Sequence, residues 1–253
     1  MRQDLETLDT MEAEAAVFGS AVGLDSVSTL ECIVDRDRHF FMEMNTRLQV
    51  AHPVTELITG IDLVKEQIRV AAGAELSFKQ DDIVAKGHSI ELRINAEDPA
   101  TFLPSAGKIT RCRVPQGPFI RFDGYMYAGY EVPIYYDPML AKLIVWGEDR
   151  KACIARLKRA LAEFSVTGIK TNTVLHKNII DHPKFLDGSY TTQFVDKELI
   201  TSDQKTFFKY VNDEVFLVAA ALAAYSEAKE KKVENTSSMG RWRQVIRQEV
   251  LKR

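Results

Sequence analysis

Phe41-Met42-Glu43-Met44-Asn45-Thr46-Arg47-Leu48-Gln49-Val50-Ala51-His52-Pro53 decides how this chain is read, because a large polar residue stands at every second position from Glu43 to Gln49. Strand side chains alternate between two faces. The spacing predicts a strand over His39 to Gln49, with Glu43, Asn45, Arg47 and Gln49 on one surface and Met42, Met44, Leu48 and Val50 on the other. Ala51 falls on the polar side and interrupts the row.

Immediately upstream, Ser28 to Val34 reads as a partner strand joined through the charged turn Asp35-Arg36-Asp37-Arg38. A hairpin symmetric about Asp37 sets Glu31 opposite Glu43. Like charges in that position cost roughly 0.2–1 kcal/mol, so the pair needs a reason. A bound Mg2+ or Mn2+ supplies one, since such hard ions take carboxylates from neighbouring strands and keep ligand positions for water or phosphate. A solvated carboxylate, or a Glu43–Arg47 pair along the same face, reads the pattern equally well. Asn45 and Arg47 add metal or phosphate contacts and a planar fork suited to an oxyanion such as bicarbonate.

The rest of the chain bounds the setting. Its 253 residues are 45% hydrophobic and 27% charged, which excludes disordered and fibrous classes. The 33 basic and 36 acidic side chains are well mixed and sum to −3, giving no global attraction to nucleic acid or anionic membrane. Cys32, Cys112 and Cys153 show no zinc-ligand spacing. Met1 to Glu6 is too acidic and polar to begin a signal peptide, and no run of about eighteen apolar residues exists. The expectation is a cytoplasmic protein with neither nucleic-acid nor membrane partners.

Along the chain, helices are predicted over Leu5 to Val22, Val54 to Gly60 and Ile61 to Ala72, with Gly23, Gly60 and Gly73 as stops and Asp62 near the start of the third. Strands follow at Ser89 to Asn95, Lys108 to Val114, Pro118 to Phe122, Tyr127 to Val132 and Leu140 to Trp146, a spacing that suggests one antiparallel sheet. Asp149 to Phe164 is amphipathic and helical, with Ile154, Leu157 and Leu161 on one face, and Thr171 to Ile180 is a further helix. His182 to Phe185 reads as a loop and Phe194 to Leu199 as a short final element. Helical stretches around Glu214 to Lys231 and Arg241 to Leu251, split by the polar linker Glu234 to Ser238, form an appendage.

FMEMNTRLQV (residues 41–50), HPVTELITGIDLVKEQIRVAAG (52–73), GHSIELRINAEDPATFLPSAGKIT (87–110), YAGYEVPIYYDPMLAKLIVWGEDR (127–150) and GIKTN (168–172) together resemble the biotin carboxylases. These are the ATP-grasp components of acetyl-CoA, propionyl-CoA and pyruvate carboxylases, the first of which serves fatty acid biosynthesis. The resemblance runs from about Leu5 to Leu199. It implies an α+β chain: residues 1–85 as part of an ATP-grasp domain, 86–200 as the family's C-terminal domain, and 201–253 as a helical extension. It also implies ATP, one or two Mg2+ or Mn2+ ions, and biotin carried as substrate on a carrier protein. The family reaction converts ATP and bicarbonate to carboxyphosphate, whose CO2 carboxylates the biotin ureido nitrogen.

Carried over residue by residue, the resemblance gives Glu31 and Glu43 as metal ligands with Asn45 beside them. Arg47, Gln49 and the Val50 backbone match the bicarbonate site, with Arg47 also counted as catalytic. Arg93 matches the arginine that stabilises the biotin enolate, although by pattern alone it reads as a strand arginine paired with Glu91 or Glu97. Implied partners are a second copy of the chain, the biotin carboxyl carrier protein and the carboxyltransferase.

The sequence departs from the family in two places. Ala51 stands where the family has the glutamate that deprotonates bicarbonate. The family's N-terminal domain, glycine-rich lid and ATP-clasping lysines have no counterpart, so the expectation is a C-terminal portion that is inactive or impaired unless another chain supplies the first half. The alternative is a catalytically silent assembly component of a carboxylase complex.

Overall fold

The computed structural model describes residues 5–35 and 38–199, together with Leu222 and Tyr225. Its packing separates two units, Met1–Val195 and Asp196–Arg253. The helices expected around 214–231 and 241–251 and the linker 234–238 lie outside the described residues, apart from Leu222 and Tyr225, which are helical.

Helix α1 (Leu5–Ala21) precedes the hairpin of β1 (Thr29–Asp35) and β2 (Arg38–Asn45). Glu31 faces Glu43 as expected, but turn symmetry alone does not put it there. From Asp35↔Arg38 to Cys32↔Phe41 the register would bring Glu31 opposite Met42; a bulge shifts it by one residue and restores Glu31↔Glu43. The expected strand to Gln49 is corrected: β2 stops at Asn45, because its partner stops at Thr29 and no backbone remains to pair with. Phe40, Phe41 and Met42 are 51–55% exposed in succession; the Phe41 ring leans on Phe18 of α1, their centroids 5.3 Å apart, and the Arg38 guanidinium lies over the Phe40 ring.

Helix α2 (His52–Thr59) starts with Pro53 in its first turn, where a missing N–H costs nothing, and stops at the left-handed Gly60. Helix α3 (Leu63–Ala71) is capped by the Asp62 carboxylate, which accepts from Lys65 N at 2.9 Å.

Strands β3 (His88–Asn95), β4 (Gly107–Lys108), β5 (Arg111–Arg113), β6 (Ile120–Gly124), β7 (Glu131–Val132) and β8 (Met139–Gly147) do not make the single sheet expected. They form a three-stranded sheet β3-β8-β6 and the pairs β4-β7 and β5-β9, where β9 (Ser165–Thr167) is a strand that sequence reading did not anticipate. Lys108 to Val114 is divided because its two halves pair with different partners. Helix α4 (Arg150–Glu163), capped by Asp149, packs Cys153, Leu157 and Leu161 against Ile94, Leu143 and Val145, and all six side chains are fully buried. Helix α5 (Thr173–Asp181) follows. His182 to Phe185, expected as a loop, instead enters α6 (Pro183–Asp187), whose proline sits in the first turn and whose end is the left-handed Gly188. Val195–Leu199 follows as a π-helix. The class is α+β, as expected. Among the described residues no helix is long and apolar enough to cross a membrane.

Candidate functional site

The polar row predicted from alternation is held together by hydrogen bonds rather than by pleat. Asn45 Nδ2 donates to Glu31 Oε1 at 3.0 Å and to Glu43 Oε1 at 2.9 Å, so one amide bridges the two facing carboxylates. Gln49 Nε2 reaches Glu31 Oε1 at 3.3 Å from beyond the strand end. Arg47 makes only long contacts, to Asn45 Oδ1 and Leu48 O at 3.5 Å, and its exposed guanidinium is left available for a ligand. Glu31, Glu43, Asn45, Arg47 and Gln49 are thus brought together.

Donor chemistry tests whether this cluster fits a divalent cation. Two carboxylate oxygens converge on a point now served by an amide N–H2, a weak substitute for a cation. Turning the Asn45 amide over presents Oδ1 as a third oxygen ligand. The set fits a hard ion completed by water or phosphate. Among the described residues no group of three His, Cys, Asp and Glu side chains is placed to hold a metal ion, so the carboxylate pair needs those outside ligands.

The row continues into the turn Val50–Ala51, where Ala51 is the N-cap of α2 with φ −82° and ψ 7° and carries no capping side chain. His52 Nδ1 lies 2.7 Å from Gln49 O and His52 N donates to the same oxygen at 3.2 Å. Lys142 Nζ, from β8, donates to Val50 O at 3.1 Å. Lys142 is the in-register partner of Arg93 in β3, so the two side chains rise from the same face of the sheet. The pairing of Arg93 with Glu91 or Glu97 is not seen, while the Arg93 carbonyl receives Asn172 Nδ2 at 3.0 Å and lies 2.9 Å from His176 Nε2. His176 braces the β3 backbone there, and burial lowers its pKa despite the Arg93 carbonyl.

Sequence reading missed the charges surrounding this turn. Lys142 is an ionic residue within the otherwise apolar strand Met139–Gly147, a signal that could have singled it out. Its side chain is only 12% exposed and lies 3.6 Å from Asp123. Burial raises the Asp123 carboxyl, but the hydrogen bonds and charges of Arg121 and Lys142 outweigh it and hold the group below its usual value. Arg121 also pairs with Glu56 at 2.6 Å, and the other Glu56 oxygen accepts from Leu63 N at the start of α3. A cleft of about 490 Å3 lined in part by Glu56, Arg69 and Arg121 lies beside this network.

Glu91 sits among Lys142, Arg93, His52 and Asp123, and its Oε2 is buried without a hydrogen bond. Burial raises its pKa more than those cations lower it. A carboxyl favoured as the neutral acid in the fold contributes its stability below the ordinary value of 4.5 and loses it as pH rises through the folded value. Glu91→Gln is therefore expected to raise the melting midpoint at pH 7 by about 2–4 °C, corresponding to ~1 kcal/mol of relieved burial, with the gain disappearing below about pH 4. Thermal melts at both pH values check this; an equal gain at both, or a loss at pH 7, contradicts it.

Known proteins share this arrangement of sequence and fold. Residues 3–79 match the family model of the carbamoyl-phosphate synthase L chain ATP-binding domain, and residues 91–197 match that of the biotin carboxylase C-terminal domain. The chain is 49% identical over 178 residues to the biotin carboxylase of Haemophilus influenzae, covering 70% of this chain and 40% of that protein. It is 44% identical over 234 residues to a pyruvate carboxylase subunit of Methanothermobacter thermautotrophicus, covering 88% and 47%. Among solved structures, the biotin carboxylase domain dimer of Hydrogenobacter thermophilus 2-oxoglutarate carboxylase, with MgADP, ADP and bicarbonate bound, is similar at a TM-score of 0.66 and 47% identity over 68% of this chain and 38% of that one. The chain spans less than half the length of these relatives.

Proposed function

Because the chain belongs to the biotin carboxylase family and matches its C-terminal part, we propose that it is the portion of a biotin carboxylase that holds the metal, the bicarbonate and the biotin enolate. The bridged carboxylate pair carries this reading: Glu31, Asn45 and Glu43 converge on one point and connect through Gln49 and Arg47 to an anion-accepting turn. Residues 1–85 supply this cluster, 86–200 supply Arg93, and 201–253 form an extension.

Glu31, Glu43 and Asn45 would hold Mg2+ or Mn2+, an ion that neutralises phosphate charge when bound. Arg47 and Gln49 orient bicarbonate, aided by the Val50 backbone. Arg93 supports the enolate of biotin. The carried biotin requires a carrier protein and a carboxyltransferase as partners, and the solved dimer of a relative supports a homodimer. Mixed charge and unpaired cysteines support a cytoplasmic setting. ATP binding requires phosphate-clasping groups supplied by an N-terminal ATP-grasp half.

Mixing the chain with such a half, ATP, Mg2+, bicarbonate and biotin is expected to release ADP slowly but in a bicarbonate-dependent way. Release no higher than from either piece alone would sink the reading. Ala51 supports a second reading, a silent assembly component of a carboxylase complex; capture of carboxylase partners without Mg2+-nucleotide binding in calorimetry would favour it.

A further inference from the structure

We propose that Lys142 is a positioning residue for the bicarbonate site: its ammonium fixes the Val50 carbonyl so that the Ala51 N–H joins the Val50 N–H in facing the anion. This inference rests on the reading of Arg47, Gln49 and Val50 given above and deepens it.

In a planar trans peptide, C=O and N–H point in opposite directions. Fixing one end fixes the other. In the Gln49–Val50 peptide the carbonyl receives the His52 amide at 3.2 Å and lies 2.7 Å from the His52 ring nitrogen. In the Val50–Ala51 peptide the carbonyl receives Lys142 Nζ at 3.1 Å. Two successive carbonyls are thus tied back, one by a cation. Among the described residues the two opposing amides, Val50 N–H and Ala51 N–H, have no hydrogen-bond partner. Their directions are set by the groups behind them rather than by a partner in front, the arrangement that successive amides adopt around an anion. Arg47 and Gln49, immediately before the turn, add donors of the same kind.

Lys142 is built for the task. Its side chain is 12% exposed, which removes most of the rotamer freedom of a surface lysine. Asp123 provides the counter-charge at 3.6 Å, Arg121 fixes Asp123 at 2.8 Å, and Glu56 fixes Arg121 at 2.6 Å while also capping α3. The orphaned Glu91 oxygen does not compete, because it makes no hydrogen bond to the ammonium. Position 51, which lacks a carboxylate, still contributes through its backbone.

The test uses the full chain, with the amide resonances of Val50 and Ala51 followed during titration with 13C-bicarbonate and by hydrogen exchange. In the wild type both amides should shift with bicarbonate. Lys142→Met is expected to weaken bicarbonate binding about 10-fold or more and to speed exchange at residues 50–52 selectively. Lys142→Arg, which keeps charge and donors, should restore binding to within about 3-fold. Asp123→Asn, which leaves Lys142 in place without its counter-ion, should give an intermediate loss even if Lys142→Met folds poorly.

Wild-type bicarbonate affinity in both Lys142→Met and Asp123→Asn overturns the inference, as does an exchange increase spread evenly over the chain without rescue by arginine. A wild type that shows no bicarbonate shift, while Lys142→Met still loosens residues 50–52 selectively, overturns the bicarbonate reading and leaves the positioning role intact.

Discussion

Ala51→Glu is expected to raise bicarbonate-dependent ADP release by about 100-fold to 10,000-fold when the chain is assayed with a complementing N-terminal half, the range associated with a positioned general base. The backbone at position 51, φ −82° and ψ 7°, accepts any L-residue. The Ala51 side chain is exposed, so a longer one enters open space rather than the core. The position is also the N-cap of α2, where a carboxylate is favoured by the exposed amides. Arg47 and Gln49, four and two residues earlier, would hold the anion whose proton the new carboxylate takes. Ala51→Gln separates basicity from size: it should leave the rate at the wild-type level. Equal gains from Glu and Gln, or none from Glu, would show that position 51 does not limit turnover.

Gly168→Ala is expected to cost about 3 kcal/mol or more and to lower the melting midpoint by about 6–12 °C. Gly168 follows β9 with φ +99°, a conformation strained for an L-residue, and a Cβ there would stand 2.2 Å from Lys108 O and 2.9 Å from Thr110 N. Both obstacles are backbone and neither can swing aside. They belong to the point where the chain leaves β4 for β5, pinned by Thr110 N to Thr167 O at 2.8 Å. Relief would require parting β5 from β9 or displacing β4. A thermal melt of the variant reads the outcome, and a shift under about 2 °C would mean that the β4–β9 contact yields more readily than its hydrogen bonds suggest.

The carboxylate pair was legible because period and turn symmetry are local, and Glu31 and Glu43 are separated by one hairpin. The reason they align was not legible, since the bulge at Met42 leaves no trace in an alternation that continues through it. The end of β2 at Asn45 was hidden for a related reason: polar residues recur to Gln49, yet β1 supplies no partner beyond Thr29. Short strands escaped as well. β9 spans only Ser165–Thr167, too few residues to show a period, and its pairing with β5 is what divides Lys108 to Val114. Arg93 was singled out through motif resemblance alone, whereas the bracing of its carbonyl by Asn172 and His176 depends on a fold that joins β3 to α5. Lys142 was visible as a charge in an apolar strand, but its target was not, because nothing near it in sequence names Val50.

The separation of that last pair has a consequence for how the protein is made. The Glu31–Asn45 hydrogen bond closes over 14 residues, so the carboxylate hairpin can form as soon as it leaves the ribosome. The Lys142–Val50 bond closes over 92. At synthesis rates of roughly 5–20 residues per second, Lys142 follows Val50 by about 5–20 s. During that interval a nascent chain already presents the facing carboxylates while the Val50 turn lacks the ammonium that ties back its carbonyl. If the hairpin binds a cation and the turn an anion, as proposed above, the two capacities would be acquired at different moments of the protein's birth, the second only when β8 arrives.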